Sequence, residues 1–136
     1  MITIPFTDLG KNIPAVAFTL GEDPTTYYAL LDTGTETTLF DWSLRDKEGV
    51  DALATESSVN FINVGGESPH QDYVPVSLDT RFNSNKDSVS ISGVLYDLSI
   101  ISNSFDSFNI SGLIGSDFFE STDAVINYDE KTLCIK

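Results

Sequence analysis

Ala29-Leu30-Leu31-Asp32-Thr33-Gly34-Thr35-Glu36-Thr37-Thr38-Leu39-Phe40 is the stretch on which the reading of this chain turns. The apolar run from Tyr27 to Leu31 has the length and content of a buried strand. It stops on a carboxylate, then a small hydroxyl residue, then glycine. A strand that ends this way carries a carboxylate to the end of a sheet, where the backbone has to turn sharply. Gly34 permits that turn and lets another stretch of chain approach closely. Asp and Gly are also ordinary turn residues, so the tripeptide alone is compatible with a plain loop. The flanks add to it: apolar residues before, and a hydroxyl at Thr38 followed by Leu39 after.

Two further stretches support the same reading. Ile110-Ser111-Gly112-Leu113-Ile114-Gly115-Ser116-Asp117-Phe118-Phe119 holds an apolar pair followed by glycine, then a short helix-like segment. Ala124-Val125-Ile126-Asn127-Tyr128-Asp129-Glu130-Lys131-Thr132-Leu133 has the form of a closing strand-turn-strand. In their order and separation the three stretches resemble a retropepsin-like aspartic peptidase domain, over about residues 13 to 135.

The resemblance implies an all-β chain. It would form a closed, barrel-like acid-protease lobe with one or two short helices, in a single domain spanning residues 1–136. It implies that Asp32 is the catalytic carboxylate. Thr33 would hydrogen-bond across a dimer, and Gly34 would present backbone groups to substrate. Glu36 and Thr37 would contact the substrate backbone. Gly65 and Gly66 would belong to the flap, a glycine-tipped hairpin that closes over the cleft. No metal or organic cofactor is implied. Two positions depart from the pattern: Thr35 stands where Ala or Ser is common, and Ser116 stands where retroviral members commonly carry Arg.

Composition narrows the functional classes. The chain has 136 residues, 40% of them apolar, which is enough for one core. With 21 acidic residues against 7 basic, the formal charge is −14 at pH 7. Nucleic acid and anionic membranes both select clustered Lys and Arg, so both are poor partners. No window reaches the roughly 18 apolar residues of a membrane span. The start, Met1 to Phe6, lacks a charged region and a long apolar one, so a cytoplasmic location is expected, although a trimmed signal would look the same. The single cysteine, Cys134, excludes an internal disulfide and a cysteine-built zinc site; it reads as a small filler in a strand. His70 reads as a solvated loop residue, and Asn109-Ile110-Ser111 fits a glycosylation sequon of little weight here.

Taken in order, Ile2 to Phe6 is an edge strand closed by Pro5. Ala15 to Leu20 alternates with period two and pairs with residues 26–31 across a turn at Gly21 to Pro24. Asp41 is placed to cap a helical segment reaching Leu53 or Ala54, with Trp42 expected in the core. Val59 to Val64 and Tyr73 to Leu78 read as strands flanking the Gly65-Gly66 loop. Asp79 to Ser88 reads as a polar loop, Ser88 to Leu95 as a strand, and Asn103 to Ser111 as a loop.

Hydrolysis of a peptide bond by carboxylates needs two of them about 3 Å apart, sharing one proton. Asp-Thr-Gly occurs once in this chain. An enzyme built from it would be a symmetric homodimer acting on a peptide or protein substrate, with one Asp32 from each copy on the two-fold axis. Two other readings stay open. One is a catalytically inactive module that keeps the fold and holds a peptide or partner strand in its cleft. The other is an unrelated acidic barrel, with Asp32 in an exposed turn.

Overall fold

The computed structural model describes residues 2–10, 13–52, 57–58, 62–63, 66–67, 72–82, 88–105 and 107–136. Its strands are β1 (Ile2–Pro5), β2 (Thr7–Asp8), β3 (Pro14–Leu20), β4 (Asp23–Leu31), β5 (Leu39–Asp41), β6 (Val50–Ala52), β7 (Ser57–Ser58), β8 (Ile62–Asn63), β9 (Gly66–Glu67), β10 (Asp72–Phe82), β11 (Val89–Tyr96), β12 (Ile110–Ile114), β13 (Val125–Asn127) and β14 (Thr132–Ile135). Two short α-helices interrupt them, α1 (Ser99–Asn103) and α2 (Ser116–Thr122), with a 3₁₀ turn at Trp42–Leu44.

Six strands pair in a ring, β3-β4-β12-β5-β11-β10, which closes where β10 returns to β3 through Thr80↔Leu20, Arg81↔Thr19 and Phe82↔Phe18. Closure removes the open edges that an isolated sheet would present. The inward positions follow from strand alternation. Val16, Phe18 and Leu20 on β3 point into the ring, with Leu31 on β4, Phe40 on β5, Val76, Leu78 and Phe82 on β10, Ile91 and Leu95 on β11 and Ile114 on β12. Phe18 stands edge-on to Phe40 and Phe82, with ring centroids 6.3 and 6.5 Å apart. A second sheet of three strands, in the order β1-β14-β13, adds Ile4, Leu133 and Ile135 to the same core.

The pairing that positions the site is that of β12. It runs parallel to β4 and antiparallel to β5, so it lies between two strands that follow one another in sequence. All five of its residues are buried. The connection from β4 to β5, residues 32–38, therefore has to pass over the end of β12.

Several expectations from sequence need correction. The segment after Asp41 is not a helix to residue 53 or 54. It is one 3₁₀ turn, because only Leu44 is buried there and Gly49 has φ +78°. The chain then enters β6, which pairs with β10. Trp42 is not in the core: it is 42% exposed, with the Arg45 guanidinium 4.9 Å from its ring centre. The start of the supposed polar loop at Asp79 continues β10 to Phe82. Thr80 is buried there, with its hydroxyl donating to the Val89 carbonyl at 2.7 Å. Helix α1 was not expected; Asp97 accepts from the Ser99 N–H at 2.9 Å, and Asp41 accepts from the Leu98 N–H at 2.9 Å, which ties this corner to the end of β5. His70, and most of residues 59–64 and 83–87, lie outside the described residues.

Two measurements test this packing. Phe40→Ala removes a ring buried between β12 and β11 and is expected to cost about 3–5 kcal/mol, read as a lowered denaturant midpoint; a loss below about 1 kcal/mol would contradict its place in the core. The second concerns acid. Asp23 and Asp97 are each held below the usual carboxylate range by the backbone N–H, then the hydroxyl, of Thr25 and Ser99 respectively. A depressed folded value stabilises the fold above the unfolded value and is lost as pH falls through the folded one. The double variant Asp23→Asn/Asp97→Asn should therefore lose less stability than the parent between about pH 5 and pH 2; parallel curves would refute this.

Candidate active site

Asp32 is the first residue past β4. Its N–H donates to the Ile114 carbonyl at 2.9 Å, the last rung that joins it to β12. Beyond it the chain turns at Thr33 and Gly34, and the Thr35 N–H returns to the Asp32 carbonyl at 3.2 Å. The half-buried carboxylate is oriented from both sides: Oδ1 accepts from the Gly34 N–H at 3.0 Å, and Oδ2 accepts from the Thr35 hydroxyl at 3.0 Å. Thr35, the departure noted in the sequence, thus supplies one of the two groups that hold Asp32. Gly34 sits close under the carboxylate: a Cβ there would lie 3.2 Å from Oδ1, a tight contact.

The loop is clasped to the start of α2. Helix α2 begins with N–H groups that have no partner inside the helix. The loop supplies partners: Ser116 N–H donates to the Thr35 carbonyl at 2.7 Å, and Asp117 N–H donates to the Glu36 carbonyl at 3.2 Å. In return Asp117 accepts from the Thr38 N–H at 3.0 Å and from the Thr38 hydroxyl at 2.7 Å, while the same hydroxyl accepts from the Gly115 N–H at 3.1 Å. Thr38 is fully buried, so each of these bonds replaces one that water cannot supply. Gly115 fits under the loop because it lacks a side chain: a Cβ there would stand 2.5 Å from the Thr35 oxygen.

Next to the carboxylate the barrel presents an apolar row. Register pairs Leu30 with Leu113, Leu113 with Leu39, and Leu39 with Val94. These four side chains alternate with the core residues Leu31, Ile114, Phe40 and Leu95, and so share the opposite face of the sheet. Tyr96 packs with Leu39 and Val94 in a small cluster separate from the main core. Asp32 also lines a depression of about 290 Å³, with Ile13, Pro14, Leu30, Leu31, Thr33 and Tyr128.

Solved structures with the same architecture can now be compared. The retroviral protease-like domain of Ddi1 from Leishmania major matches 91% of this chain and 88% of its own with a TM-score of 0.58 at 13% identity. A retropepsin-like aspartic protease from Rickettsia conorii matches 98% of this chain and 88% of its own, with a TM-score of 0.51 at 14% identity. EIAV protease complexed with an inhibitor matches 87% of this chain and 95% of its own, again at 0.51 and 14%.

The fold is retropepsin-like.

At such identities the likeness concerns the fold alone. No protein-family model matches the sequence, and a search of curated proteins found no match. The retropepsin-like barrel brings Asp32, Thr33, Gly34, Glu36 and Thr37 into one loop; Thr33, Gly34 and Glu36 are exposed, and Thr37 is half-buried against Gly115. Gly66 lies in the separate β8–β9 ladder, opposite Asn63, and Gly65 lies outside the described residues. Sequence reasoning did not single out Asp117 or the row Leu30, Leu113, Leu39 and Val94. The spacing of Asp117 two places after Gly115 was a usable signal. The row was not legible, because its members come from four strands whose register only the folded chain sets.

The clasp can be tested by removing one hydroxyl. Thr38→Val leaves the buried Gly115 N–H without its acceptor and takes one of three donors from Asp117 Oδ1, which keeps the N–H groups of Thr38 and Phe118. A loss of about 1–3 kcal/mol is expected, with Thr38→Ser close to the parent. Equal stability of the Val and Ser variants in urea unfolding would show that the hydroxyl does not hold the loop.

Proposed function

We propose that this chain is one half of a homodimeric aspartic endopeptidase, with Asp32 as its catalytic carboxylate. The observation that carries the reading is the pose of Asp32: a partly exposed carboxylate fixed through both oxygens by Gly34 and Thr35, beside an apolar wall. A carboxylate in a plain solvent turn has no need of a buried Thr38–Asp117 clasp beneath it. The acidic-barrel alternative with a chance motif is therefore disfavoured, as is a module that keeps the fold without the chemistry.

In the proposed reaction two Asp32 carboxyls face each other across a two-fold axis and hold one proton between them. The ionised member takes a proton from a water molecule as its oxygen bonds to the peptide carbonyl carbon. The protonated member hydrogen-bonds to the carbonyl oxygen as charge develops there. Collapse of the tetrahedral intermediate breaks the C–N bond, and the amine leaves with a proton delivered from the dyad. Both carboxyls then return to one shared proton. Thr33 would brace the two loops against one another, and the backbone of Gly34 with Glu36 and Thr37 would hold the substrate chain. Gly65 and Gly66 would belong to a covering hairpin. The row Leu30, Leu113, Leu39 and Val94 would receive apolar side chains next to the cleaved bond, since apolar area removed from water is worth about 25 cal/mol per Å².

Asp32→Asn should remove cleavage of an apolar-rich peptide while leaving the unfolding midpoint near that of the parent, because the amide keeps the shape and an acceptor oxygen but cannot act as a base. Cleavage at the parental rate by this variant would refute the assignment. A peptide analogue with a central hydroxyl in place of the scissile carbonyl is expected to bind the parent, as a mimic of the intermediate. Cleavage should also rise on acidification toward about pH 4–5, where surface carboxylates with ordinary values of about 3.9–4.3 begin to protonate and the −14 charge on each copy falls. Salt at pH 7 should restore association more than cleavage, since it screens repulsion but supplies no proton.

A further inference from the structure

We infer that the cavity between β11 and α2 binds an alkylammonium group on Asp117, and that the occupant steadies the Asp32 loop through the Asp117–Thr38 clasp. This site is independent of the peptidase reading: neither Asp32 nor the apolar row beside it lines the cavity.

The cavity holds about 300 Å³, at the lower end of the volumes that take small ligands. Its lining has two parts. Ile91 and Phe118 belong to the main core and give it an apolar part. Ser92, Asp117, Ser121 and Thr122 give it a polar one. The hydrogen bonds these groups already make decide what they can still do. Ser121 and Thr122 both donate to the Phe118 carbonyl, at 3.1 and 2.7 Å. With their protons so engaged, each hydroxyl has only lone pairs to offer a ligand. Asp117 is half-buried, and its two oxygens are used unequally. Oδ1 accepts from the Thr38 N–H, the Thr38 hydroxyl and the Phe118 N–H, at 3.0, 2.7 and 2.8 Å. Oδ2 has only a share of the Thr38 N–H, at 3.1 Å. A carboxylate oxygen drawn partly out of water and short of donors is one that a ligand's donor satisfies.

The lining therefore sets the chemistry of the occupant. It offers acceptors and one negative charge, and no basic side chain. An anion would meet only lone pairs and like charge. A metal ion is disfavoured, since among the described residues no three of His, Cys, Asp and Glu come together to hold one. A primary ammonium on a short alkyl chain uses both parts of the lining. Its three N–H donors suit Asp117 Oδ2 and the hydroxyls of Ser121 and Thr122, and its methylenes suit Ile91 and Phe118. The net charge of −14 draws any cation toward this chain; the carboxylate inside a cavity with an apolar part selects an organic one. An ammonium on Oδ2 also holds Asp117 in the pose that accepts from Thr38, so that occupancy ties down the loop of residues 32–38.

Titration of the whole chain with 1,5-diaminopentane at about 0.15 M salt, followed by backbone amide NMR shifts, tests the site. Saturable shifts confined to residues 90–92, 117–122 and Thr38 are expected, with an unfolding midpoint that rises with ligand concentration. Pentane-1,5-diol, of the same length but uncharged, should not bind. A capped lysine separates two sources of the group. Binding as tight as that of the diamine points to a lysine side chain of another protein, and weaker binding points to a free amine; either supports the site. Asp117→Asn should weaken diamine binding at least tenfold. Because that variant also disturbs the clasp, Ser92→Leu serves as a second one. At an exposed position on β11 it should fill the cavity and weaken binding as much, with an unfolding midpoint near that of the parent. Shifts that never saturate or that spread over the surface carboxylates, equal binding of the diol, or diamine binding unchanged in Ser92→Leu would each overturn the inference.

Discussion

The backbone of the Asp32 loop and the backbone at Gly115 lie in contact, with the Thr35 oxygen where a Cβ of residue 115 would stand. The rest of the site depends on that approach. It lets the first N–H groups of α2 reach the Thr35 and Glu36 carbonyls, and it brings Asp117 against Thr38. A side chain at residue 115 would force the backbone of the loop and of the strand end apart. The carboxylate of Asp32 is thus placed by a steric allowance at the end of β12, the neighbour of β4 in the barrel but far along the chain.

This allowance is useful only because the barrel already holds β12 between β4 and β5. The insertion forces the connecting loop across the strand end. It also ties the loop down, since the Asp32 N–H, the Thr35 and Glu36 carbonyls and Thr38 find partners in the neighbouring strand and helix. The buried hydroxyl of Thr38 is the joint, acting as donor to Asp117 and as acceptor from Gly115. Removal of one partner in such a network leaves the others unsatisfied where water cannot reach them.

Charge acts at a larger scale. A net −14 keeps copies of the chain apart and leaves little surface on which two of them can meet. A chain that assembles its site from two such halves couples chemistry to concentration, salt and acidity through the same repulsion.

Much of this was legible in the amino-acid order. Asp32-Thr33-Gly34 after an apolar run, Leu113-Ile114-Gly115 before α2, and the closing hairpin of β13 and β14 are local patterns, and local patterns report strand ends, glycine turns and alternation. The expectations that failed were those that depend on the length and neighbours of an element. Trp42 was expected inside because it is large and aromatic; it is outside because its turn buries only Leu44. Residues 79–82 looked like a loop because they are polar; they are strand because β3 and β11 pair with them on both sides. The apolar wall of Leu30, Leu113, Leu39 and Val94 joins residues from four strands, and the clasp of Asp117 on Thr38 joins residues 79 positions apart. Such contacts are set by register and barrel closure. The sequence by itself determined which carboxylate ends which strand; the tertiary structure decided what stands beside it, because strand pairing, not proximity in sequence, chooses the neighbours.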